Sequence, residues 1–119
     1  IKDPKNLPEF EELDKRKVFN VGNDFEVKAI KTTFVLPDTY SLFIKSPSGN
    51  IFYTGGFKVD QTPYDNSYFD YFSYSESGEE SVDLLISDSS NIEAVGYCQP
   101  EKSIIKRFNE LLSTESRVV

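Results

Sequence analysis

Phe25-Glu26-Val27-Lys28-Ala29-Ile30-Lys31-Thr32-Thr33 is the stretch on which the fold turns. Phe25, Val27 and Ala29 alternate with Glu26 and Lys28, a period of two that puts apolar side chains on one face and charged ones on the other, as a half-buried strand requires. Just before it, Gly22-Asn23-Asp24 supplies turn chemistry and Val18-Phe19-Asn20-Val21 a second short run, so Val18 to Thr33 is expected to be a hairpin. Toward the C-terminus, Tyr40 to Lys45 and Ile51 to Thr54 form another pair, joined by Ser46-Pro47-Ser48-Gly49-Asn50, whose Pro and Gly fit a reversing turn. Toward the N-terminus, Ile1 to Lys17 mixes Pro4 and Pro8 with many charges and lacks a sustained apolar period. Residues 1–17 therefore read as a connector with one short helical turn at Phe10 to Leu13.

Beyond the hairpins, Ser67 to Ser77 carries Tyr68, Phe69, Tyr71, Phe72 and Tyr74, a spacing that points aromatics inward from a short helix ended by Gly78. Val82-Asp83-Leu84-Leu85-Ile86 is a brief apolar run bounded by polar turn residues, the pattern of a strand buried on both faces. Pro100 then opens a helix with Glu101 in its first turn, and Ile104, Ile105, Phe108, Leu111 and Leu112 fall on one face of it. That stripe is expected to pack over a sheet whose centre is Leu84 to Ile86. Arg117-Val118-Val119 reads as the start of a further strand. The expected class is α/β, or α+β layered, with β-hairpins and a buried strand covered by helices.

At 119 residues the chain can bury one modest core, so it is expected to be one domain or part of one. The single cysteine, Cys98, excludes an internal disulfide framework, and with no histidine the usual mixed Cys/His zinc site cannot be built. A net charge of −7 argues against a broad basic surface for nucleic acid, because such binding is driven by Lys and Arg releasing phosphate counterions. No apolar run is long enough to span a bilayer and no basic-then-apolar signal opens the chain, so a cytoplasmic location is the expectation. The absence of any methionine, including an initiator, leads us to expect an excised piece or processed fragment.

Three motifs in order carry a family resemblance: Leu36-Pro37-Asp38, preceded by Lys31 to Val35; Tyr53-Thr54-Gly55-Gly56-Phe57-Lys58-Val59-Asp60-Gln61-Thr62-Pro63; and Leu84-Leu85-Ile86-Ser87-Asp88-Ser89-Ser90-Asn91. They resemble the T-x-H-S-I-P-D, H-T-G-D-F-K-x-D-x-T-P and L-L-S-D-S-T-N motifs of RNase J-type ribonucleases, which have a metallo-β-lactamase fold with an inserted β-CASP domain. The resemblance runs from about Val18 to the end, and implies that residues 18–119 are part of a metallo-β-lactamase-like domain. It also implies two divalent metals, usually zinc, that activate water for phosphodiester hydrolysis. The family places a histidine and a bridging aspartate as metal ligands where this chain has Phe34 and Gly56. A phenyl ring offers no lone pair and glycine no side chain, and the family's H-x-H-x-D-H motif and later histidine fall outside the matched region. No metal cofactor is therefore expected in this chain.

Asp38, Asp60, Asp65 and Asp88 are the carboxylates a metal would need. Asp38 after Pro37 also suits a turn or helix-cap acceptor, and Asp60 and Asp65 suit solvated turns. The residue matching Asp88 sits beside the active site in the family as an acid/base or supporting group; here it reads either as a relic of that role or as a structural hydrogen-bonder. Ser87, Ser89, Ser90 and Asn91 are the accompanying candidates for substrate contact. Thr54-Gly55-Gly56 lacks the Walker pattern of a phosphate loop. The Tyr68 to Tyr74 aromatics suit core or interface packing better than base stacking, given Asp65, Asp70 and Glu76 nearby.

The expected function is a catalytically silent RNase J-like segment whose parent acts as scaffold or partner subunit in RNA processing, meeting RNA only indirectly. Its expected partners are the rest of the parent chain or an RNase J-like sister subunit, not a membrane. Two alternatives stand beside it: part of an active metal-dependent ribonuclease with ligands elsewhere in the parent, and an unrelated acidic protein-binding module.

Overall fold

A computed structural model describes residues 12–114. The order of elements is β1 (Val18–Val21), β2 (Phe25–Lys31), β3 (Tyr40–Ser46), β4 (Gly49–Tyr53), α1 (Tyr71–Glu79), β5 (Leu84–Ile86) and α2 (Glu101–Thr114). The five strands form one mixed sheet in chain order, antiparallel from β1 to β4, with β5 added parallel to β4. Both expected hairpins are present. The second closes more tightly than expected, because Ser46 and Gly49 already pair and only Pro47 and Ser48 lie between them.

Register gives the sheet two unlike faces. Val18, Lys28, Phe43, Phe52 and Leu85 lie in one row, and Phe19, Val27, Ile44, Ile51 and Leu84 in the next, so the second row is apolar across all five strands. Helix α1 covers the face of the first row. Phe43, Phe52 and Ile30 make its buried cluster, with Tyr74 of α1 packed against them, and the Phe52 and Tyr74 ring centroids are 4.9 Å apart. Phe69, just before the helix, closes on the other side of Tyr74 at 4.5 Å.

The helix spans Tyr71–Glu79 rather than Ser67 to Ser77. Asp70 sets its start by accepting a hydrogen bond from the Ser73 backbone N–H at 3.2 Å, the signature of an N-cap. Gly78 lies inside its last turn. Of the aromatics expected on its inward face, only Tyr74 is there. Ser73 and Ser77 are fully buried, whereas Tyr71 and Phe72 are more than half exposed. Two small residues four apart let the helix backbone approach the sheet closely, and the Ser77 hydroxyl satisfies itself on the Ser73 carbonyl at 2.8 Å.

Two further expectations are corrected. Leu84–Ile86 is an edge strand among the described elements, not a central one, and its three side chains are 46–62% exposed. A continuous apolar run signals burial on both faces only when strands and layers exist on both sides, and here β4 is the one hydrogen-bonding neighbour. The α2 stripe does form, but Ile104, Ile105, Phe108, Leu111 and Leu112 are all exposed, so it does not cover the sheet. Arg117-Val118-Val119 and the first half of the expected Phe10 to Leu13 turn lie outside the described residues. Residues at the end of the expected connector are tied to the sheet: the Arg16 N–H donates to the Ala29 carbonyl at 2.8 Å, and the Ala29 N–H to the Lys17 carbonyl at 2.9 Å.

Truncation should separate these roles. Phe43→Ala, which empties a 1%-exposed site, is expected to cost about 3–5 kcal/mol of unfolding free energy in denaturant titration. Phe108→Ala, at a 58%-exposed ring, should change it by less than about 0.5 kcal/mol.

Candidate functional site

The three motifs converge at one end of the sheet, where β2, β4 and β5 finish. After β2, Thr32 and Thr39 close the loop between them: the Thr32 N–H donates to the Thr39 carbonyl at 3.1 Å and the two hydroxyls meet at 3.1 Å. Thr33 then bridges to Lys58, its carbonyl accepting the Lys58 N–H and its hydroxyl donating to the Lys58 carbonyl. This pairing holds the Phe34 loop against the Gly55 to Lys58 loop. After β4, the Thr54 N–H donates to the Ile86 carbonyl at 2.9 Å, extending the parallel ladder into the motif loops.

Phe34 and Gly56 meet there. A Cβ on Gly56 would stand 2.6 Å from Cε1 and 2.8 Å from Cζ of the Phe34 ring, far inside contact distance. Gly55 is held glycine for a different reason: its φ is +59°, and a Cβ would lie 2.9 Å from the Tyr40 carbonyl oxygen. Phe34, Tyr53, Gly55, Gly56, Ile86, Ser87, Asp88 and Ser90 line an open cavity of about 230 Å³.

Each candidate carboxylate has a local partner set. The Asp88 carboxylate accepts from the Ser90 backbone N–H at 3.0 Å and from the Ser90 hydroxyl. Those bonds, with the Phe57 and Ser89 backbone N–H groups, lower its pKa below the usual carboxylate value. The Asp88 N–H in turn donates to the Thr54 hydroxyl at 3.0 Å. Asp38 is exposed in a left-handed turn (φ +54°), with Lys31 Nζ 3.1 Å away. Asp65 accepts the Ser67 N–H at 2.8 Å. The accompanying candidates Ser87, Ser89, Ser90 and Asn91 are all exposed, and Ser87 donates to the Asp88 carbonyl at 3.2 Å.

Asp60 is 6% exposed rather than a solvated turn residue. One oxygen accepts from the Thr62 N–H and hydroxyl, both at 2.8 Å; the other accepts the Glu101 N–H at 3.0 Å and faces Lys58 Nζ at 3.1 Å. Burial pushes this carboxyl up, but the Glu101 and Thr62 donors and Lys58 outweigh it and hold the group below its ordinary value. Asp60 thus ties the first turn of α2 to the second motif, and Lys58 reinforces the tie by donating to the Gln99 carbonyl at 3.0 Å. Asp70 was visible in sequence only as an acidic flank. It forms a two-bond ion pair with Arg16, at 2.8 and 2.9 Å, while capping α1 through Ser73. Arg16 is the first cause of its lowered pKa, which drops to about 2. An Asp three residues before a Ser in a run without glycine or proline is the cap signal that marks it.

A mixed α/β domain with a five-stranded sheet and two helices is the class these observations define. No family model matches the chain. Curated proteins named Ribonuclease J do: that of Synechocystis sp. is 37% identical over 98 residues, covering 82% of this chain and 15% of that protein. Those of Thermus thermophilus and Helicobacter pylori are 34% and 35% identical, covering 90% and 92% of the chain and 18% and 16% of theirs. A crystal structure of a protein of unknown function from Enterococcus faecalis V583 shares the fold, with a TM-score of 0.66 at 19% identity over 92% of this chain and 26% of that one. With such identity over 82–92% of its length, the chain is an RNase J-type segment, and it spans 15–18% of the length of these three relatives.

The metal pair that the family resemblance implies does not suit the residues present. Phe34 and Gly56 provide no donor atom, and among the described residues no three His, Cys, Asp or Glu side chains gather where an ion could sit.

Two outcomes follow from the carboxylates. Asp60→Ala strands buried donors and should cost about 1–3 kcal/mol of unfolding free energy in urea. Asp70 has a folded pKa below its ordinary 3.8, so its contribution is present above that value and lost as pH falls toward about 2. Unfolding free energy measured across that interval should therefore drop in the native chain and drop less in Asp70→Asn.

Proposed function

We propose that this chain is a catalytically silent segment of an RNase J-like protein, whose parent serves RNA processing or degradation as a scaffold or partner subunit. In this reading the sheet is part of a metallo-β-lactamase-like domain, and the parent's remaining chain or an RNase J-like sister subunit meets it. One observation carries the reading: the two positions that match the family's histidine and bridging aspartate hold a phenyl ring and a glycine, packed on each other. Without the bridging carboxylate, two cations would face each other with less negative charge between them, and water activation would lose its basis. Kinship to proteins named Ribonuclease J supports the RNA-processing context.

RNA contact by this chain is proposed to be indirect. Its net charge of −7 opposes a phosphate backbone, and the exposed aromatics Tyr68, Tyr71 and Phe72 stand among Asp65, Asp70 and Glu76.

The deciding experiment is a cleavage assay on the full-length parent with a single-stranded RNA in zinc or manganese. No hydrolysis above a metal-free control is expected; metal-dependent cleavage would end the silent reading. Calorimetry on the present chain near neutral pH is expected to show no one-to-one zinc or manganese binding, and the double change Phe34→His with Gly56→Asp should add little affinity. Tight binding by either form would reveal a ligand set that the reading denies.

A further inference from the structure

We propose that Phe34 and Gly56 form an interlocked aromatic plug, in which the ring of one occupies the space into which any side chain of the other would project. The inference rests on the reading of these positions as the family's ligand positions only for its meaning; the contact itself is geometric.

The case begins with what does not hold position 56 to glycine. Gly55, its neighbour, is constrained by its own backbone, with φ at +59° and the Tyr40 carbonyl oxygen 2.9 Å from a would-be Cβ. Gly56 is not among the residues of positive φ, so its backbone accepts an L side chain. The three atoms nearest its would-be Cβ all belong to the Phe34 ring: Cε1 at 2.6 Å, Cζ at 2.8 Å and Cδ1 at 3.0 Å. The closest steric demand at 56 thus comes from one side chain.

The loops that carry the two positions are fixed to each other. The Thr33–Lys58 bridge brackets the two positions, and the Thr32–Thr39 pairs close the loop that carries Phe34. A phenyl ring placed on a Cα–H gains dispersion contacts and shields apolar surface, which a displaced ring would forfeit. The arrangement explains why the two departures from the family's motifs occur together. Aspartate at 56 beneath a phenyl ring at 34 would clash with it and set a charge against carbon. Return to a ligand at 56 alone is therefore blocked, and any route back to a metal centre must change residue 34 first or in the same step.

A double-mutant cycle read by thermal unfolding of the full chain tests this. Gly56→Ala is expected to lower the midpoint by about 4 °C or more in the native background. In Phe34→Ala the same change should leave the midpoint unaltered or raise it, since alanine restricts the unfolded chain more than glycine does. Gly55→Ala is the control, and should lower the midpoint in both backgrounds. An equal effect of Gly56→Ala with and without the ring would overturn the plug. Should Phe34→Ala not fold, proton NMR of the native chain decides: one Gly56 Hα is expected to be shifted by the Phe34 ring current, with the shift lost in Phe34→Leu. Ordinary shifts for both Gly56 Hα protons would overturn the proposal equally. None of these readouts involves metal or RNA, so the plug can fail while the silent reading stands, and the calorimetry can fail while the plug stands.

Discussion

The ring and hydroxyl of Tyr74 join the core of this chain to its motif loops. The ring lies between Phe52 of the sheet and Phe69 of the approach to α1, and so fastens the helix to the sheet. Its hydroxyl reaches Ser41, whose own hydroxyl is within 2.6 Å of the Thr54 carbonyl. Burial raises the Tyr74 pKa, with the Ser41 contact acting the other way, so the phenol stays protonated through the physiological range. From Thr54 the chain of contacts continues through its hydroxyl to the Asp88 N–H and on to Ser90. A packed aromatic cluster and a line of hydrogen bonds therefore meet in one residue. Buried polar contacts of this kind fix a unique arrangement only when each member is satisfied, and among the described side chains no buried nitrogen or oxygen lacks a partner.

The flanks of the sheet are set by ion pairs that stitch α1 to the strands below it. Lys28 of β2 pairs with Glu76, and Lys45 of β3 with both Glu26 and Glu80. At the helix start, Arg16 holds Asp70 by two bonds and lies 5.2 Å from the Phe72 ring centroid. These contacts run along both ends of α1 while Ser73 and Ser77 seat its middle, which explains how a nine-residue helix with few inward apolar side chains keeps its place. Lys45 and its partners are partly exposed and add little energy, so their contribution is chiefly orientation, whereas Asp70 and Lys28 are largely buried at their pairs.

What was legible in the sequence follows the range of the interactions involved. Both hairpins and the start of α2 were readable because turn residues at Gly22 to Asp24 and Pro47 to Gly49, strand alternation and Pro100 are all local signals. The environment of Leu84–Ile86 was not, because an apolar run states a preference for burial without stating what does the burying. The same holds for α2, whose stripe was placed correctly on one face while its partner was misassigned to the sheet. The α1 face was read only in part, at Tyr74, for another reason: serine is a weak core signal, and only three-dimensional closeness to the sheet makes Ser73 and Ser77 inward residues beside it. At the site, the motifs named residues that the structure brings to one end of the sheet, but Asp60 as a buried anchor for α2 depends on Glu101, forty-one positions away.

The carboxylates around the motif loops show what a protein does with acidic residues when its own donors reach them. Asp60 is held by Thr62, Lys58 and the N–H of Glu101, Asp88 by Ser90 and neighbouring backbone, and Asp38 faces Lys31. In a metal centre, carboxylate oxygens converge on one point and are held apart from one another by the cation between them. Here each is turned toward protein donors, those of Asp60 reaching from as far as Glu101, and the charge that a cation would balance is balanced by them. Introducing a ligand at 34 or 56 would therefore not by itself create convergence, because Asp60 and Asp88 would have to give up bonds that fix α2 and the Ser87 to Asn91 turn. The same bonds that stabilise the loops make them poor material for a metal site, and beside them the Phe34 ring lies over Gly56 where the family has a carboxylate.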